Sequence, residues 1–564
     1  MRGGQRRLPI LWAVVVVAVV LAEEEADPTS ALESQDGDAF WLLFGMALVF
    51  FMQAGFAMLE AGAAPTEVVG RVLLKNIFDA SFASLLWWAT GYSLAYGADD
   101  FNKEGVNGFI GTSGFFYEQD LDPIDSEADP KTYVKSFWLF QWAFAGVAAT
   151  IVSGAVAGRC LFGAYIAYAI TVSGLVYPVV VHNAWSKDGR FSASRTSRLL
   201  AGCGVVDFAG SGVVHMTGGV AALLMTSFLV ARRGRFGDDH QPFEPPEPSG
   251  IVFQTLGALI LWFGWYAFNG VSTLAITGLG GLAAHTMFTT TIAAATGCLA
   301  TTSIASMHYY LGRRDAVHDA ALVDVSYPIN GILAGLVSIT GSCAVVSHWG
   351  AMCVALVGSV VYYSTSRLLV YHKIDDVVDA FPVHGACGAW GVLSSGFFAT
   401  EYYYKLAIIQ GEEDQPRNRA NRCQGVFYGG DGGTLLAAIA FIVSLVLWVS
   451  GVLYPLFSLL HHYNLIRIED APSLRGSNVP TGLTTTSGSI RGSNVTRSSD
   501  GDRGRPVVPT FVSTTLSTAG GRVDNSVLSS QEAQQVGADL ELSLVTRGSI
   551  ATGTRASVAS DEAR

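Results

Sequence analysis

Long apolar runs broken by short polar stretches fill the chain from residue 39 to about 460, where the pattern stops. Crossing a hydrocarbon core of ~30 Å takes about 20 consecutive apolar helical residues. Runs of that order recur at roughly 39–60, 77–97, 136–157, 161–181, 205–230, 251–271, 281–311, 325–343, 348–371, 382–400 and 434–460. The pattern therefore predicts an all-α polytopic membrane protein with about eleven transmembrane helices. Ahead of the first run, residues 1–22 place Arg2, Arg6 and Arg7 before LPILWAVVVVAVVLA and then EEEADP, the layout of a secretory signal, with an uncleaved anchor helix as the alternative. Residues 23–38 follow as an extracellular segment. From Leu465 onward Ser, Thr, Gly and Arg replace the apolar runs and cannot bury enough surface to offset ordering entropy, so 465–564 reads as a disordered cytoplasmic tail. RGSNV recurs there at Arg475 and Arg491, a basic residue two before a serine that suits a kinase, although chance repetition in a low-complexity tail explains it as simply.

Two segments pair a carboxylate with an imidazole, ionisable groups that are costly in hydrocarbon and mark function by default. In GVVDFAGSGVVHMTGG these are Asp207 and His215; in VVDAFPVHGACG they are Asp379 and His384. The two runs are the fifth and the tenth, each ending a block of five, which implies an inverted five-plus-five repeat around a central pore. His215 lies about 12 Å of helical rise beyond Asp207, while His384 enters from the opposite side, so the two rings are expected to meet in the membrane. Taken singly, each histidine reads as a packing residue; together they read as a polar pair lining a path.

Composition agrees with the pattern. Half of the 564 residues are hydrophobic, 14% are charged, and the mean hydropathy is +0.38, far from a soluble enzyme. A net charge of -12 excludes the basic surface that nucleic acid requires. The seven cysteines are scattered, implying neither a disulfide framework nor a zinc site. No nucleophile, metal cluster or phosphate loop appears, so neither an enzyme nor a cofactor is expected. Basic residues divide evenly between the two sets of loops; the signal-like start and the RRGR and GRR clusters at span ends place the amino terminus outside and the tail in the cytoplasm. The loop 99–135, with nine Asp or Glu against three Lys, is then a solvated outer loop. Glu60, Asp79 and Asp324 read as polar bonds between helices or at span ends, and His182, His285, His308 and His348 as structural.

These stretches resemble the ammonium transporters of the Amt/MEP/Rh family, and within it the Amt branch. The family's D-F-A-G-[small]-x-x-V-H signature is matched by Asp207 to His215, and further matches are FFMQAGFAMLEAG (50–62), FQWAFAG, SGAVAGR, VYPVVVHNAW, WFGWYAFNGVS, NGILAGLVSITGSC and VVDAFPVHGACG. The resemblance covers the ammonium transporter domain at 39–464. It implies an outer site for ammonium or methylammonium at Phe140, Phe144, Trp185 and Ser272, organised by Asp207. It further implies a gate of stacked rings at Phe144 and Phe268, with Gln141, Trp265 and Asn269 beside it, and twin pore histidines at His215 and His384. Aromatic faces attract a desolvating cation by roughly 1–2 kcal/mol. Ammonium, unlike potassium, can shed a proton and cross a dry pore as neutral ammonia, which two imidazoles hold with one donor and one acceptor. The resemblance also implies a homotrimer in a lipid bilayer, the plasma membrane being the expected one. Two departures stand out: Pro65 to Val68 replace the family's basic R-x-K-N, and the tail lacks the family's continuation after Asp470. Competing readings are an Rh-like channel for neutral ammonia, against which Trp185 and the FQxxF motif speak, and an ammonium sensor that signals through its tail.

Overall fold

A computed structural model describes residues 28–97, 108–120, 131–195, 198–232, 235–236, 250–312, 324–410 and 418–468. The signal-like segment and all but the first residues of the tail, including both RGSNV repeats, lie outside the described residues. Those described are helical, with isolated bridges and no strand among them. Eight helices are long and apolar enough to cross a membrane: Gln35–Ala63, Tyr133–Ala155, Phe162–Trp185, Ser211–Phe228, Ile251–Thr273, Gly280–Leu311, His348–Tyr371 and Gly433–His462.

The elements used below are α1 (Pro28–Ala63), α2 (Val69–Leu86), α3 (Lys131–Ala155), α4 (Phe162–Thr171), α5 (Tyr177–Trp185), α6 (Thr217–Phe228), α7 (Ile251–Gly270), α8 (Gly280–Gly312), α9 (Ser326–Thr340), α10 (His348–Tyr371), α11 (Cys387–Phe398) and α12 (Gly433–His462). The run expected at 77–97 starts earlier, at Val69, because Lys75 and Asp79 find partners inside the bundle and so do not end the helix. It continues through a wide π turn, Trp87–Gly91, to Tyr96. A second π turn, Val172–Val176, joins α4 to α5.

The exposed face of α12 shows which solvent this bundle meets. Ala438, Phe441, Leu445, Val449, Leu453 and Phe457 are buried at helical spacing, yet Leu436, Val443, Leu447 and Tyr454 on the other side are exposed. A helix apolar on both faces faces hydrocarbon, not water. At the centre, the segments 211–228 and 381–398 run antiparallel, the start of α6 packing on the turn Phe381–Ala386 that leads into α11, and a methyl added at Gly219 would collide with the backbone nitrogen of Gly385. Backbones approach this closely only where both residues lack a side chain.

At one end of the bundle Asp375, whose side chain is fully buried, takes Arg159 at 2.7 Å, Arg232 at 2.8 Å and Arg235 at 3.4 Å. Burial pushes this carboxyl up, but the hydrogen bonds and charge of Arg232 and Arg159 prevail and hold it below the ordinary carboxylate range. The first tail residues lie against the same corner: Ile466 is buried and accepts the Leu161 N–H at 3.0 Å, and Ile468 donates to the Arg159 carbonyl at 3.1 Å.

The opposite end corrects the reading of the cysteines. Cys203 and Cys423 form a disulfide across 220 residues, while Cys160, Cys298, Cys343, Cys353 and Cys387 are free. Thr434 donates to the Cys423 carbonyl at 2.6 Å, and Arg419 binds the Ala193 carbonyl, so the segment before α12 is fastened over the start of the Asp207 loop.

Two outcomes follow. Gly219→Ala should lower stability by about 1–3 kcal/mol through overpacking, read as a fall in the thermal midpoint of the purified protein, whereas Gly163→Ala, with nothing within 4 Å of the added carbon, should leave it unchanged. Because the folded Asp375 carboxyl lies below its unfolded value of about 3.9, its contribution is full above that pH and is lost as pH falls through the depressed folded value. Melting curves between neutral and acid pH should show Asp375→Asn less stable at pH 7 and less acid-sensitive than the unsubstituted chain.

Candidate functional site

Both histidines stand on π turns at the start of their helices. His215 is in Ser211–Met216, which leads into α6, and His384 is in Phe381–Ala386, which leads into α11. A π turn widens the helix and rotates the following side chains off the α-helical face, a device that recurs at functional sites. The chain enters the first turn through Gly210, at φ +103°, a conformation that side chains resist. Asp207 then caps the turn, its Oδ2 accepting the N–H of Gly212 at 3.0 Å and of Val213 at 2.8 Å. The counterpart in the second turn is Asp376, not the Asp379 singled out from the sequence. Asp376 Oδ2 accepts the Phe381 N–H at 2.7 Å, again five residues on. Both capping carboxylates therefore precede their histidine by eight positions. Asp379 turns to α10 instead, accepting the hydroxyls of Tyr362 at 2.8 Å and Ser366 at 2.9 Å.

The two rings meet. His215 Nδ1 and His384 Nδ1 are 3.1 Å apart, with ring centroids 5.2 Å apart and planes inclined by 25°. Both are buried. A hydrogen bond between two Nδ1 atoms requires one ring to donate and the other to accept. The donor is then left with a bare Nε2 and the acceptor with an Nε2–H. Thus a neutral pair offers one acceptor and one donor, whichever ring carries which. His215 Nε2 is buried without a partner. Aromatic walls enclose the pair: His215 stacks on Trp265 at 5.0 Å and on Phe268 at 5.3 Å, and His384 lies 6.1 Å from Phe56.

From the histidines a column of rings leads outward. Phe268 packs on Phe144 at 4.2 Å, Phe144 on Phe140 at 4.8 Å, and Phe144 on Trp185 edge-on at 6.0 Å. Phe140, Phe144 and Phe268 are buried, and Trp185 is half-buried at the end of α5. Trp185 is fixed by its Nε1–H, which donates to the Asp207 carbonyl at 2.7 Å. Asp207 thus holds both the π turn and the outer indole, while its carboxylate is turned to backbone N–H groups. Ser272 lies one turn beyond Phe268 and donates to that residue's carbonyl at 2.7 Å, leaving its oxygen free to accept.

Beside the column, Trp265 donates to Thr340 at 2.8 Å and Asn269 donates to Thr290 at 2.8 Å. The buried oxygens Gln141 Oε1 and Asn269 Oδ1 have no partner. Sequence reasoning missed Asp376, which the eight-residue spacing from His384 would have found. It also read Trp265 only as a neighbour of the gate, whereas its indole lies flat against His215. Of the other described histidines, His182 meets the Ala95 carbonyl at 2.9 Å, His285 the Val346 carbonyl at 2.9 Å, and His308 the Tyr363 hydroxyl at 2.6 Å. Asp324 caps α9 through the Ser326 N–H at 3.0 Å.

Known proteins are similar to this chain in sequence and in fold. "Ammonium transporter 1 member 3" of Solanum lycopersicum is 36% identical over 451 residues, covering 78% of this chain and 91% of its own. "Ammonium transporter Amt2" of Archaeoglobus fulgidus is 33% identical over 475 residues, covering 83% and 92%. Among solved structures, one titled "Sensor Amt Protein" superposes with a TM-score of 0.64 at 26% identity, over 80% of this chain and 99% of its own. Saccharomyces cerevisiae Mep2 shares the fold with a TM-score of 0.62 at 23% identity, over 79% of this chain and 89% of its own. The sequence model of the Ammonium Transporter Family matches residues 40–479, and the chain, a multi-pass membrane protein, belongs to that family.

Proposed function

We propose that this protein moves ammonium across a membrane by taking it up as the ion and passing it through the bundle as ammonia. Phe140, Phe144, Trp185 and Ser272 recruit the ion, aromatic faces and one hydroxyl oxygen replacing part of its water. Asp207 acts by position, holding Trp185 through its carbonyl and the His215 turn through its carboxylate. The ion gives up its proton there to solvent water, because a bare cation passing Phe144 and Phe268 would lose its hydration with nothing to replace it. Neutral ammonia passes the two rings and reaches His215 and His384, where a bare Nε2 accepts from it and an Nε2–H donates to it. Reprotonation follows on the inner side. The observation that carries this reading is the 3.1 Å contact between the two imidazoles, with an unpartnered Nε2 behind a closed pair of phenylalanines.

The same reading orients the chain. The Cys203–Cys423 disulfide supports placing that end, with Trp185 and Asp207, on the oxidising outer side. The amino terminus is then outside, with 1–22 as a signal peptide and 23–38 extracellular, and the tail 465–564 is cytoplasmic. The eight-residue spacing of both capping carboxylates, on helices that run antiparallel, supports the inverted five-plus-five repeat. We assign a homotrimer in the plasma membrane on the resemblance alone. A second reading, an ammonium sensor with output through the tail, takes support from the solved structure titled "Sensor Amt Protein".

Ammonium-evoked current in a heterologous membrane, with potassium as the control cation, tests the reading. His215→Ala and His384→Ala should each lower the ammonium current about tenfold or more, equivalent to about 1.4 kcal/mol on the barrier, with surface delivery unchanged. Full current in both variants would overturn it. Deleting 470–564 should leave methylammonium uptake intact in a transporter, whereas a sensor would lose its output.

A further inference from the structure

A second set of ionisable groups is buried in this bundle, apart from the aromatic column. Glu60 on α1 and Lys75, Asn76 and Asp79 on α2 are each no more than 5% exposed. Glu60 Oε2 accepts from Asn76 Nδ2 at 2.9 Å and from the Ser153 hydroxyl. Lys75 Nζ donates to the Ser153 carbonyl at 2.6 Å and lies 4.9 Å over the Tyr165 ring. Tyr165 on α4 donates to Asp79 Oδ2 at 2.6 Å, while Asp79 Oδ1 is buried without a partner. Thr150 on α3 flanks Asp79, its own hydroxyl proton going to Gln53 at 2.8 Å. The other titratable groups facing the set are Arg159, Cys160 and Tyr168. Arg159 turns its guanidinium to the Asp375 carboxylate and carbonyl and forms no ion pair with Glu60 or Asp79 among the described residues, and the thiol and phenol are neutral.

The charges do not balance. Two carboxylates and one ammonium would leave one negative charge in a dry interior, where an ionised carboxylate without a counter-charge takes up a proton instead. Hydrogen bonding says which carboxyl that is. Glu60 has two donors and Lys75 beside it, the environment of an ion; Asp79 has one donor and a bare second oxygen, the environment of an acid. We propose that Glu60, Lys75 and Asp79 form a proton-binding site separate from the histidine pair, holding one proton on Asp79 at neutral pH. Its place gives it a bearing on the conduit. Glu60 is one helical turn beyond Phe56, whose ring packs on His384, and only Gly154 separates it from Val378. Loss of the Asp79 proton would therefore put a net negative charge beside the inner wall of the conduit.

Infrared difference spectra of the full chain in lipid nanodiscs, compared in H2O and D2O, count protonated carboxyls by their C=O stretch. Asp79→Asn should lose one such band. Glu60→Gln should lose one as well, because Asp79 then ionises as the counter-ion of Lys75. Lys75→Met should gain one, and Glu60→Gln combined with Lys75→Met should restore the original count. Tyr165→Phe keeps every charge, so it should keep the band and move it to higher frequency. An unchanged band count in Asp79→Asn, or no added band in Lys75→Met, would overturn the proposal; a purely structural polar cluster predicts neither the loss nor the gain.

Discussion

Two imidazoles in contact inside a dry protein wall are the constraint around which the rest of this bundle is arranged. A hydrogen bond between buried rings is electrostatically strong only if nothing wet competes with it and both rings are held still. Trp265, Phe268 and Phe56 supply the dry surround. Stillness comes from the backbone: each ring rides on a π turn whose first N–H groups are tied to a capping carboxylate. The turn that carries His384 approaches α6 closely enough only because Gly219 and Gly385 have no side chains to keep them apart. Wider helix spacing would leave the same residues present and the pair absent.

Charge is managed differently at each depth. At the end with the arginines, one buried aspartate serves three guanidinium groups, so removing it would strand more than one cation. In the interior, Asp207 and Asp376 each turn one oxygen to backbone N–H groups at a helix start, where the partial positive charge of the helix end favours it. Between these, the Glu60 and Lys75 pair sits among hydroxyl and amide groups contributed by three helices. None of these carboxylates lies free in the aromatic column, and the path past Phe144 and Phe268 is left to rings and neutral polar atoms.

Much of this was legible in the order of residues. Eight of the expected spans coincide with helices long and apolar enough to cross a membrane, and the meeting of His215 with His384 followed from two carboxylate-and-imidazole segments entering from opposite sides. What was illegible had physical causes. The start of α2 was set too late because Lys75 and Asp79 look like a boundary until their partners on α1, α3 and α4 are known. The Cys203–Cys423 bond joins residues 220 apart, and no local pattern marks such a pairing. Asp379 stands out in the sequence because it lies five residues before His384, and only backbone geometry shows that Asp376 is the carboxylate that reaches the helix start.

The antiparallel approach of α6 and α11 has a bearing on directionality. Each helix begins at a different mouth of the bundle, each beginning is neutralised by an aspartate at the same remove, and their peptide dipoles point against one another. This central pair consequently contributes no net dipole that favours one mouth over the other. Any asymmetry along the bundle comes from what differs between the mouths: an indole and a disulfide at one, a knot of arginines at the other.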